Sequence, residues 1–348
     1  MPKFWIISDT HFGIRNCSKK WESLMKGWVD NFLFPLFSSS VEDGDVLVHC
    51  GDVFDNRQSI GLSTMDMCIN FFERLSGYFK DIRVLCGNHD AYLTTVNDIT
   101  SIDCIKHIPG VSVIKDPVTD VVFGKTVGFV PWTENPDAFR NLSVDGNRPE
   151  ILFCHAEFSG CIMNSYGTKS ESTLAIPDIS RIYTGHIHHT QKCGNVTYVG
   201  SAYQITQNDR GNARGVLTYC PDSGVERFYP NTFSPEFKRV AYTDISGMRF
   251  GEFKKMCGNS FIEVETDGRL MTKCRFQKLL SLVSESDNIM DLSFVPMKGS
   301  DGKNSDINIS DCASISEMLD RYIDDMVVCD AQTKKSVRMI SKKLIHEL

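Results

Sequence analysis

The chain has 348 residues, of which 41% are apolar and 23% charged, and its formal net charge is −7 at pH 7. That length favours two domains, and the composition is ordinary for a globular protein. The negative charge argues against a protein that coats nucleic acid by bulk charge alone, although bound cations can reverse the sign locally. No apolar run approaches the roughly 20 residues needed to cross a bilayer, so we expect no membrane association.

Two features bear on cellular location. The sequence begins MPKFWIISDTHFG, which lacks the basic segment, apolar core and cleavage site of a secretion signal. Its thirteen cysteines are scattered singly, with no CxxC pair. That pattern suits reduced thiols better than a disulfide framework or a zinc ribbon, so we expect a cytoplasmic protein.

As far as about residue 232, short apolar runs alternate with helical patterns. Five runs rich in Ile, Val, Leu and Phe indicate strands buried on both faces, at residues 3–8, 45–50, 82–86, 150–154 and 181–184. Further strand-like runs (SVI, TDVVF, TVGFVP, VTYVG and GVLTY) suggest a second sheet. A helix-length segment, LSTMDMCINFFERL, separates the second and third buried strands. This order predicts a layered α/β fold.

The segment SPEF, with its proline, separates a first domain over residues 1–233 from different material. Beyond it, three strand patterns alternate with two helical ones, which predicts a small α/β domain over 237–298. A polar linker follows over 299–312. Two helices over 313–348 finish the chain.

Polar side chains follow each of the five buried strands. In chain order they are Asp9 and His11; Asp52 and Asp55; Asn88, His89 and Asp90; His155; and His186 and His188. Because ligands in open α/β folds gather beyond the carboxyl ends of strands, we expect these turns to meet. Alternate residues of an extended turn point the same way, so Asp9 and His11 can face one ion. Gly51, Gly87 and Gly185 allow tight or left-handed backbone where a metal or phosphate comes close.

The donor set indicates the kind of site. Seven of these ten side chains are counted as candidate ligands: two aspartates, four histidines and one asparagine. Seven ligands are too many for one zinc ion, and they include no thiolate. Mixed imidazole and carboxylate donors suit a pair of ions such as Mn²⁺, Fe²⁺ or Zn²⁺. Two such ions about 3.5–4 Å apart form the usual clamp for phosphoester hydrolysis. Each motif alone occurs by chance in loops, but chance does not explain five in this order after predicted strands.

The series DTH, GDVFD, GNHD, His155 and GHIH resembles the calcineurin-like metallophosphoesterases. Within them, GDVFDNRQSIGLSTMDM, ILFCHAEFSG and YTGHIHHTQKCGNVTYVGSAYQITQND are similar to DNA-repair nucleases of the SbcD type, the catalytic partners of an SMC-like ATPase. Asp55 stands where cellular members tend to carry histidine, which looks more like the branch encoded by T4-like bacteriophages. The resemblance covers about residues 3–232. It implies a layered β-sandwich core flanked by helices, with a small α/β capping domain and a helical tail.

The resemblance also implies roles for the site residues. Two divalent ions, with Mn²⁺ expected, would share Asp52 as a bridge and activate water for attack on phosphorus. One ion would take Asp9, His11, Asp52 and His188, and the other Asp52, Asn88, His155 and His186. His89 would orient the phosphate and protonate the departing oxygen, with Asp90 as its partner, unless it only packs under the loop. Asp55 would position phosphate-bound water or brace Arg57.

Two segments are expected to contact partners. The helix at 62–75 is apolar on more than one face, so it is either deeply buried or covered by another chain. SbcD-type nucleases dimerise through this region and a second helix, predicted here at 96–108, which implies a homodimer. The two C-terminal helices carry apolar stripes. In the family such a tail docks on the coiled coil of the SbcC-type ATPase; the alternative is a hairpin folded on its own domain.

The main hypothesis is a metal-dependent DNA phosphodiesterase, with exonuclease and endonuclease activity, that works with an SMC-like ATPase in recombination or break repair. The alternative is a small-substrate phosphatase or cyclic-nucleotide phosphodiesterase on the same fold. The second domain and the tail favour the nuclease. A scaffold that has lost its metals is a third possibility, and the intact ligand set argues against it.

Overall fold

The computed structural model describes residues 1–93, 96–266, 289–296 and 333–339. The chain divides into two compact units, Met1–Lys238 and Arg239–Leu348. Within the described ranges, no helix is long and apolar enough to cross a membrane.

Two six-stranded sheets form the first unit. Its strands are, in chain order, β1 (Phe4–Ile7), β2 (Val46–His49), β3 (Asp81–Leu85), β4 (Ala91–Leu93), β5 (Val96–Thr100), β6 (Val111–Ile114), β7 (Val118–Val122), β8 (Lys125–Val130), β9 (Ile151–His155), β10 (Arg181–Gly185), β11 (Gln191–Cys193), β12 (Val196–Tyr198), β13 (Gly215–Tyr219) and β14 (Glu226–Pro230). The five buried strands predicted from the sequence are β1, β2, β3, β9 and β10, so that prediction is confirmed.

The strand order of the first sheet is β14-β13-β1-β2-β3-β6, and that of the second is β11-β12-β10-β9-β8-β7. Strands β1, β2, β3 and β6 are parallel to one another, as are β8, β9, β10 and β12. Strands β4 and β5 form a separate antiparallel pair. The parallel strands bring their carboxyl ends to one edge of each sheet.

Five helices are described in the first unit. They are α1 (Ile14–Cys17), α2 (Lys19–Trp28), α3 (Phe34–Ser40), α4 (Leu62–Ser76) and α5 (Asp137–Arg140), and a π-helical stretch, Val29–Leu33, joins α2 to α3. Helix α4 is the one predicted from LSTMDMCINFFERL. Its Phe71, Phe72 and Leu75 side chains are buried, whereas Leu62 is 90% exposed.

The two sheets pack face to face around a shared apolar core. Phe4 of β1 lies in it with Phe153 of β9, and their ring centroids are 4.9 Å apart. The neighbouring Trp5 contacts Phe37 of α3 instead, at 5.3 Å between centroids. Because successive side chains of a strand alternate, β1 is buried on both faces, by the second sheet and by a helix. The predicted layered α/β sandwich flanked by helices is confirmed.

The second helix of the expected dimer region, at 96–108, is a wrong prediction. Residues Val96–Thr100 form β5, and only Ser101–Ile105 form a 3-10 helix. Thr100 and Asp103 cap that turn, since the Asp103 carboxylate accepts from the Thr100 hydroxyl at 3.0 Å and from its N–H at 3.3 Å. The β-branched residues before the cap favour a strand, so helical backbone begins only after it.

The described residues between 236 and 296 continue the chain into the second unit and form three strands and two helices. They are β15 (Glu236–Ala241), α6 (Tyr242–Ile245), α7 (Phe250–Cys257), β16 (Ser260–Thr266) and β17 (Ile289–Pro296), and the strands form one sheet in that order. The helix predicted at 273–283 and the linker at 299–312 lie outside the described residues, as does most of the tail at 313–348, of which 333–339 are helical. The predicted domain boundaries stay predictions.

Candidate metal centre

The ten predicted site residues lie at, or just beyond, the carboxyl ends of β1, β2, β3, β9 and β10. The turns are tied to one another by main-chain hydrogen bonds. The Asp9 N–H donates to the Gly51 carbonyl at 3.0 Å, and the His11 N–H donates to the Asp52 carbonyl at 3.1 Å. The parallel topology therefore brings these turns together at one edge of the sandwich.

Asp9, His11 and His188 form one group, with one candidate ligand atom from each lying within 4.8 Å of the others. The Nε2 atoms of His11 and His188 are 3.0 Å apart. The His188 Nε2 atom is 3.9 Å from Asp9 Oδ1. Two imidazole nitrogens that face each other across a carboxylate can be satisfied together by one cation.

Asp52, His155 and His186 form a second group, again with one ligand atom each within 4.8 Å of the others. The amide oxygen of Asn88 lies between the two imidazoles, 2.9 Å from His155 Nε2 and 2.8 Å from His186 Nδ1. The other ring nitrogen of His155, Nδ1, donates to the Cys50 carbonyl at 2.7 Å. When the ring is neutral, that bond leaves Nε2 without a proton, so this nitrogen faces the cluster as a possible metal ligand.

Asp52 lies between the two groups. Its Oδ2 atom is 3.9 Å from His11 Nε2 in one group and 3.4 Å from His155 Nε2 in the other. Its Oδ1 atom accepts from the main-chain N–H of His89 at 2.8 Å. One oxygen of Asp52 is thus fixed by the backbone, and the other faces both groups.

The cluster fits divalent cations by an independent criterion. Asp9 is fully buried, and its Oδ2 atom has no hydrogen-bond partner. Its Oδ1 atom, in contrast, accepts from the His186 N–H at 3.1 Å. Leaving a buried carboxylate oxygen without a partner is costly, and a cation at this point would satisfy it. Imidazole nitrogens with carboxylate and amide oxygens form a donor set for ions such as Mn²⁺, Fe²⁺ or Zn²⁺.

Left-handed backbone aims several of these side chains. Asp9, His11, Asp52 and His186 have φ values of 50°, 47°, 55° and 80°. Few residues other than glycine adopt this region, and such strain concentrates at functional sites. All four lie in the turns that follow β1, β2 and β10, where the change in backbone direction turns the side chain towards the cluster.

Glycines next to the ligands are required by close contacts. A Cβ atom on Gly51, whose φ is 96°, would lie 2.5 Å from His155 Nδ1. A Cβ atom on Gly87 would collide with the backbone and carboxylate of Asp52. At Gly185, a Cβ atom would lie 2.8 Å from His155 Nδ1. Close packing of protein atoms therefore requires glycine at all three positions, and of the three only Gly51 has left-handed backbone. The expected close approach of a metal or phosphate to these turns stays a prediction.

Burial and mutual charge shift the pKa values of the cluster. Burial alone would lower the pKa of His155, but the Asp52 carboxylate outweighs it and raises that pKa to about 9. Burial would raise the pKa of Asp52, yet the imidazoles of His155 and His11 hold it well below its usual range. Burial and the neighbouring His11 lower the pKa of His188. Without a bound cation, Asp52 and His155 therefore form a buried ion pair.

Metal affinity should consequently fall as the pH falls. A cation can bind His155 only after its proton has left, and the pKa of about 9 means that the ring is mostly protonated near neutral pH. For an ion held by His155, we expect the dissociation constant to increase about tenfold for each unit of pH decrease below 9. Calorimetric titration with Mn²⁺ at two pH values measures this, and equal affinities would contradict it.

His89 and Asp55 lie beside the first group and form a third group with His11, again with one ligand atom each within 4.8 Å of the others. The Nδ1 atom of His89 donates to the main-chain carbonyl of Asp55 at 2.6 Å, and the His89 ring meets the His11 ring edge-on at 5.0 Å between centroids. The Asp55 carboxylate is 3.4 Å from His11 Nδ1. The structure therefore gives His89 the carbonyl of Asp55 as its acceptor instead of the expected Asp90. The role expected for Asp55, to position phosphate-bound water or to brace Arg57, stays a prediction.

Asp90 instead joins two of the turns. Its carboxylate accepts from the main-chain N–H groups of Val53 at 3.2 Å, Phe54 at 3.0 Å and Gly87 at 2.9 Å. The residue is buried, and burial together with the nearby Asp52 charge raises its pKa to about 6. Asp90 thus acts on the cluster indirectly, by fixing the turn that carries Asp52 against the turn that carries Asn88.

Replacing Asp90 by alanine should destabilise the protein. Three buried N–H groups would lose their acceptor, and leaving them unsatisfied should lower the free energy of unfolding by roughly 2–4 kcal/mol. Asp90→Asn keeps one acceptor oxygen in place and should lose less. Urea unfolding of both variants measures the difference, and wild-type stability in Asp90→Ala would refute the bracing role.

Two residues of the site were missed by the sequence analysis. The indole of Trp132 stacks on the His186 ring, with centroids 4.9 Å apart and planes 26° apart. The Glu157 carboxylate is 3.3 Å from His186 Nε2, the nitrogen that faces away from Asn88. Both had a signal: Trp132 follows the strand run TVGFVP, and Glu157 lies two residues beyond His155. A carboxylate on the outer nitrogen of a candidate ligand fixes its ring orientation.

Comparisons with known proteins agree with this geometry. The family model for calcineurin-like phosphoesterases matches residues 2–190. Exonuclease subunit 1 of Enterobacteria phage T4 is 22% identical over 251 residues, which are 69% of this chain and 73% of that protein. Putative phosphoesterase 078R of Invertebrate iridescent virus 3 is 27% identical over 207 residues, 57% of this chain and 56% of that protein.

Among solved structures, an archaeal phosphodiesterase is 12% identical to this chain, with a TM-score of 0.32. The match includes 66% of this chain and 99% of the archaeal chain. That score is too low to support an inference. The family match, in contrast, spans more than half of the chain and includes every predicted metal ligand from Asp9 to His188. The chain belongs to the calcineurin-like phosphoesterases, hydrolases that use divalent metal ions.

Proposed function

We propose that this protein is a metal-dependent DNA phosphodiesterase, with exonuclease and endonuclease activity, that acts with an SMC-like ATPase in recombination and double-strand-break repair. The observation that carries the proposal is the pair of ligand groups joined by Asp52 Oδ2, with its distances of 3.9 Å and 3.4 Å to the two imidazoles. The similarity to a phage exonuclease subunit supports DNA as the substrate.

Two divalent ions, with Mn²⁺ as the proposed metal, would be held by the two groups. The first would take Asp9, His11, Asp52 and His188, and the second Asp52, Asn88, His155 and His186. The unpartnered Asp9 Oδ2 atom and the convergence of His155 and His186 on Asn88 Oδ1 support this division. When bound, the ions would supply an activated water and neutralise charge on the phosphoryl oxygens.

The protein's own groups would orient the substrate and move the proton. Since the Nδ1 proton of His89 is committed to the Asp55 carbonyl, Nε2 is the atom left to contact a phosphate oxygen. In the protonated ring, Nε2 can donate to the departing oxygen as the phosphodiester bond breaks. The Asp55 carboxylate, 3.4 Å from His11 Nδ1, would favour a proton on that nitrogen and so leave Nε2 of the ring free to face the first ion.

A comparison of substrates tests the proposal. The protein is incubated with Mn²⁺ and labelled single- or double-stranded DNA, and in parallel with a chromogenic phosphomonoester and a cyclic nucleotide. We expect cleavage of DNA at a catalytic efficiency that exceeds those for the small substrates by orders of magnitude. Efficient turnover of a small substrate without DNA cleavage would instead establish a phosphatase or cyclic-nucleotide phosphodiesterase on this fold.

The SbcC-type ATPase is proposed to bind the C-terminal helices, over residues 313–348. Of these, residues 333–339 are described and helical. The similarity to a protein named as a subunit supports an assembly with other chains. A pull-down with the ATPase should therefore succeed with the full chain and fail after truncation at residue 300. Retention by the truncated chain would place the interface elsewhere.

A homodimer is proposed through α4 and the β4–β5 pair. Apolar side chains are exposed on both: Leu62 at 90%, Ile99 at 68%, Tyr92 at 54% and Leu93 at 53%. Helix α4 contacts the turn Ser101–Ile105 that directly follows β5, so the two segments lie on one side of the unit. Exposed apolar groups on adjacent elements are typical of an interaction site.

The double variant Leu62→Asp/Ile99→Asp should be monomeric at micromolar concentration, because buried carboxylates would oppose association. Wild type should sediment as a dimer. Val121→Asp is the matched control, since Val121 is 55% exposed on strand β7 and lies outside the proposed interface. A wild-type protein that sediments only as a monomer would disprove the dimer.

We also propose a cytoplasmic location, which for a phage protein is the host cytoplasm. The cysteines among the described residues are all free thiols, and Cys50, Cys68, Cys86 and Cys154 are buried. Unpaired thiols in this number suit a reducing compartment.

A further inference from the structure

A cavity of about 590 Å³ opens beside the candidate metal centre. It shares two walls with that centre, since Trp132 and Glu157 line the cavity and both contact the ring of His186. The cavity therefore adjoins the centre at which a substrate phosphate would bind. The group attached to that phosphate is the part of the substrate that can extend into it.

Both apolar and polar side chains line the cavity. Phe139, Leu142 and Ile179 line it and are buried, so they form an apolar floor. Thr133 and Ser172 add hydroxyl groups to the lining. The cavity has the size of sites for small organic ligands, and polar and apolar surface line it in nearly equal measure. A flat heterocycle with polar edges satisfies both kinds of wall.

Charge argues against a second phosphate in the cavity. Its lining carries two cations, Arg140 and Arg148, and three carboxylates, from Glu134, Glu157 and Asp178. The Arg140 guanidinium is also paired with Asp137 at 3.0 Å. The lining as a whole therefore has no surplus of positive charge. It suits the neutral base and sugar of a nucleotide whose phosphate is bound at the metal centre.

The walls nearest the centre are held in place before any substrate binds. The main-chain N–H of Trp132 donates to the Cys86 carbonyl at 2.8 Å, and the main-chain carbonyl of Trp132 accepts from the Asn97 side chain at 3.1 Å. The Glu157 carboxylate accepts from the Ser170 hydroxyl at 2.6 Å. Preorganised walls reduce the ordering cost of binding.

We propose that this cavity receives one unstacked nucleoside of the cleaved strand, next to the scissile phosphate. The inference rests on the proposed function and narrows it, because a base within an intact duplex cannot leave the stack without unpairing. The substrate class is then single-stranded DNA, or a strand end or lesion whose base is free. Stacking of such a base in a protein site changes binding by about 10-fold or more.

The test fills the cavity without touching the metal ligands. Ala175 lines the cavity and is exposed, so Ala175→Trp places an indole in it at little risk to folding. Glu171→Trp is the matched control, since Glu171 is exposed on the same loop but does not line the cavity. Each protein is loaded with Mn²⁺ and assayed on single-stranded DNA and on bis(p-nitrophenyl) phosphate. A second DNA substrate carries an abasic residue next to the scissile phosphate.

For Ala175→Trp we expect the ratio of DNA cleavage to small-diester hydrolysis to fall about 10-fold relative to wild type. Wild type and Glu171→Trp should cleave the abasic substrate about 10-fold more slowly than intact DNA, and Ala175→Trp should not distinguish the two. The cavity does not bind a nucleoside if Ala175→Trp keeps the wild-type ratio, or if wild type cleaves the abasic substrate as fast as intact DNA. Either result leaves the proposed DNA cleavage intact. If wild type hydrolyses only the small diester, the proposed function itself fails.

Discussion

Asp52→Asn should lower phosphodiesterase activity by at least about 10³-fold and reduce the metal content below two ions per chain. The Oδ2 atom of Asp52 faces His11 in one ligand group and His155 in the other, so a single substitution removes a negative charge from both candidate ion sites. A metal ion contributes several kcal/mol to transition-state stabilisation, and about 4 kcal/mol corresponds to a 10³-fold change in rate. Metal analysis after Mn²⁺ loading and rates on labelled DNA measure the two effects.

Asp45→Asn provides the matched control for this experiment. Asp45 is also a buried aspartate and precedes strand β2, whereas Asp52 follows it. Its carboxylate accepts from the Trp5 indole at 2.8 Å and pairs with Lys3 at 3.0 Å. The control should lose stability but keep the activity and metal content of its folded fraction. An Asp52→Asn protein that binds two ions and cleaves within tenfold of wild type would disprove the shared ligand.

The sequence predicted the edge where these residues meet because that prediction needed only local patterns and one rule of topology. Apolar runs located β1, β2, β3, β9 and β10, and parallel strands place the turns after them at a common edge. In the first turn Asp9 and His11 share one group as expected, although their backbone is left-handed and not extended as the prediction assumed. Thr10 points away from the cluster, with its hydroxyl 3.0 Å from His49 Nε2 and 3.2 Å from the Val53 carbonyl. That contact gives the buried His49 a structural role.

The sequence did not predict features that depend on contacts between distant segments. Asp90 accepts from N–H groups 36 and 37 residues away in the chain, and no local pattern distinguishes this from a bond to the neighbouring His89. Trp132 stacks on His186, which lies 54 residues later in the chain. The wrong prediction of a helix at 96–108 has another cause. The apolar spacing of this segment suits a helix, whereas its β-branched residues favour the strand that forms.

His89→Ala should retain two metal ions but lose about 10²–10⁴-fold in DNA cleavage, the usual contribution of a general acid. The substitution removes no atom from the two groups that Asp52 joins, and the His89 main-chain N–H that donates to Asp52 Oδ1 at 2.8 Å is kept. Loss of one ion would instead show that the third group, with His11, Asp55 and His89, holds metal. His107→Ala, an exposed histidine outside the ligand groups, is the control and should leave cleavage unchanged.

The leaving group distinguishes proton donation by His89 from mere packing under the loop. A p-nitrophenolate leaving group departs without a proton, so His89→Ala should lose much less activity on bis(p-nitrophenyl) phosphate than on DNA, whose departing alkoxide needs one. If His89 only packs against Asp55 and His11, the rates on both substrates should fall by the same factor, and the metal content should also fall. Equal losses at full metal occupancy would assign His89 to phosphate orientation alone, because both diesters present the same phosphoryl oxygens to Nε2.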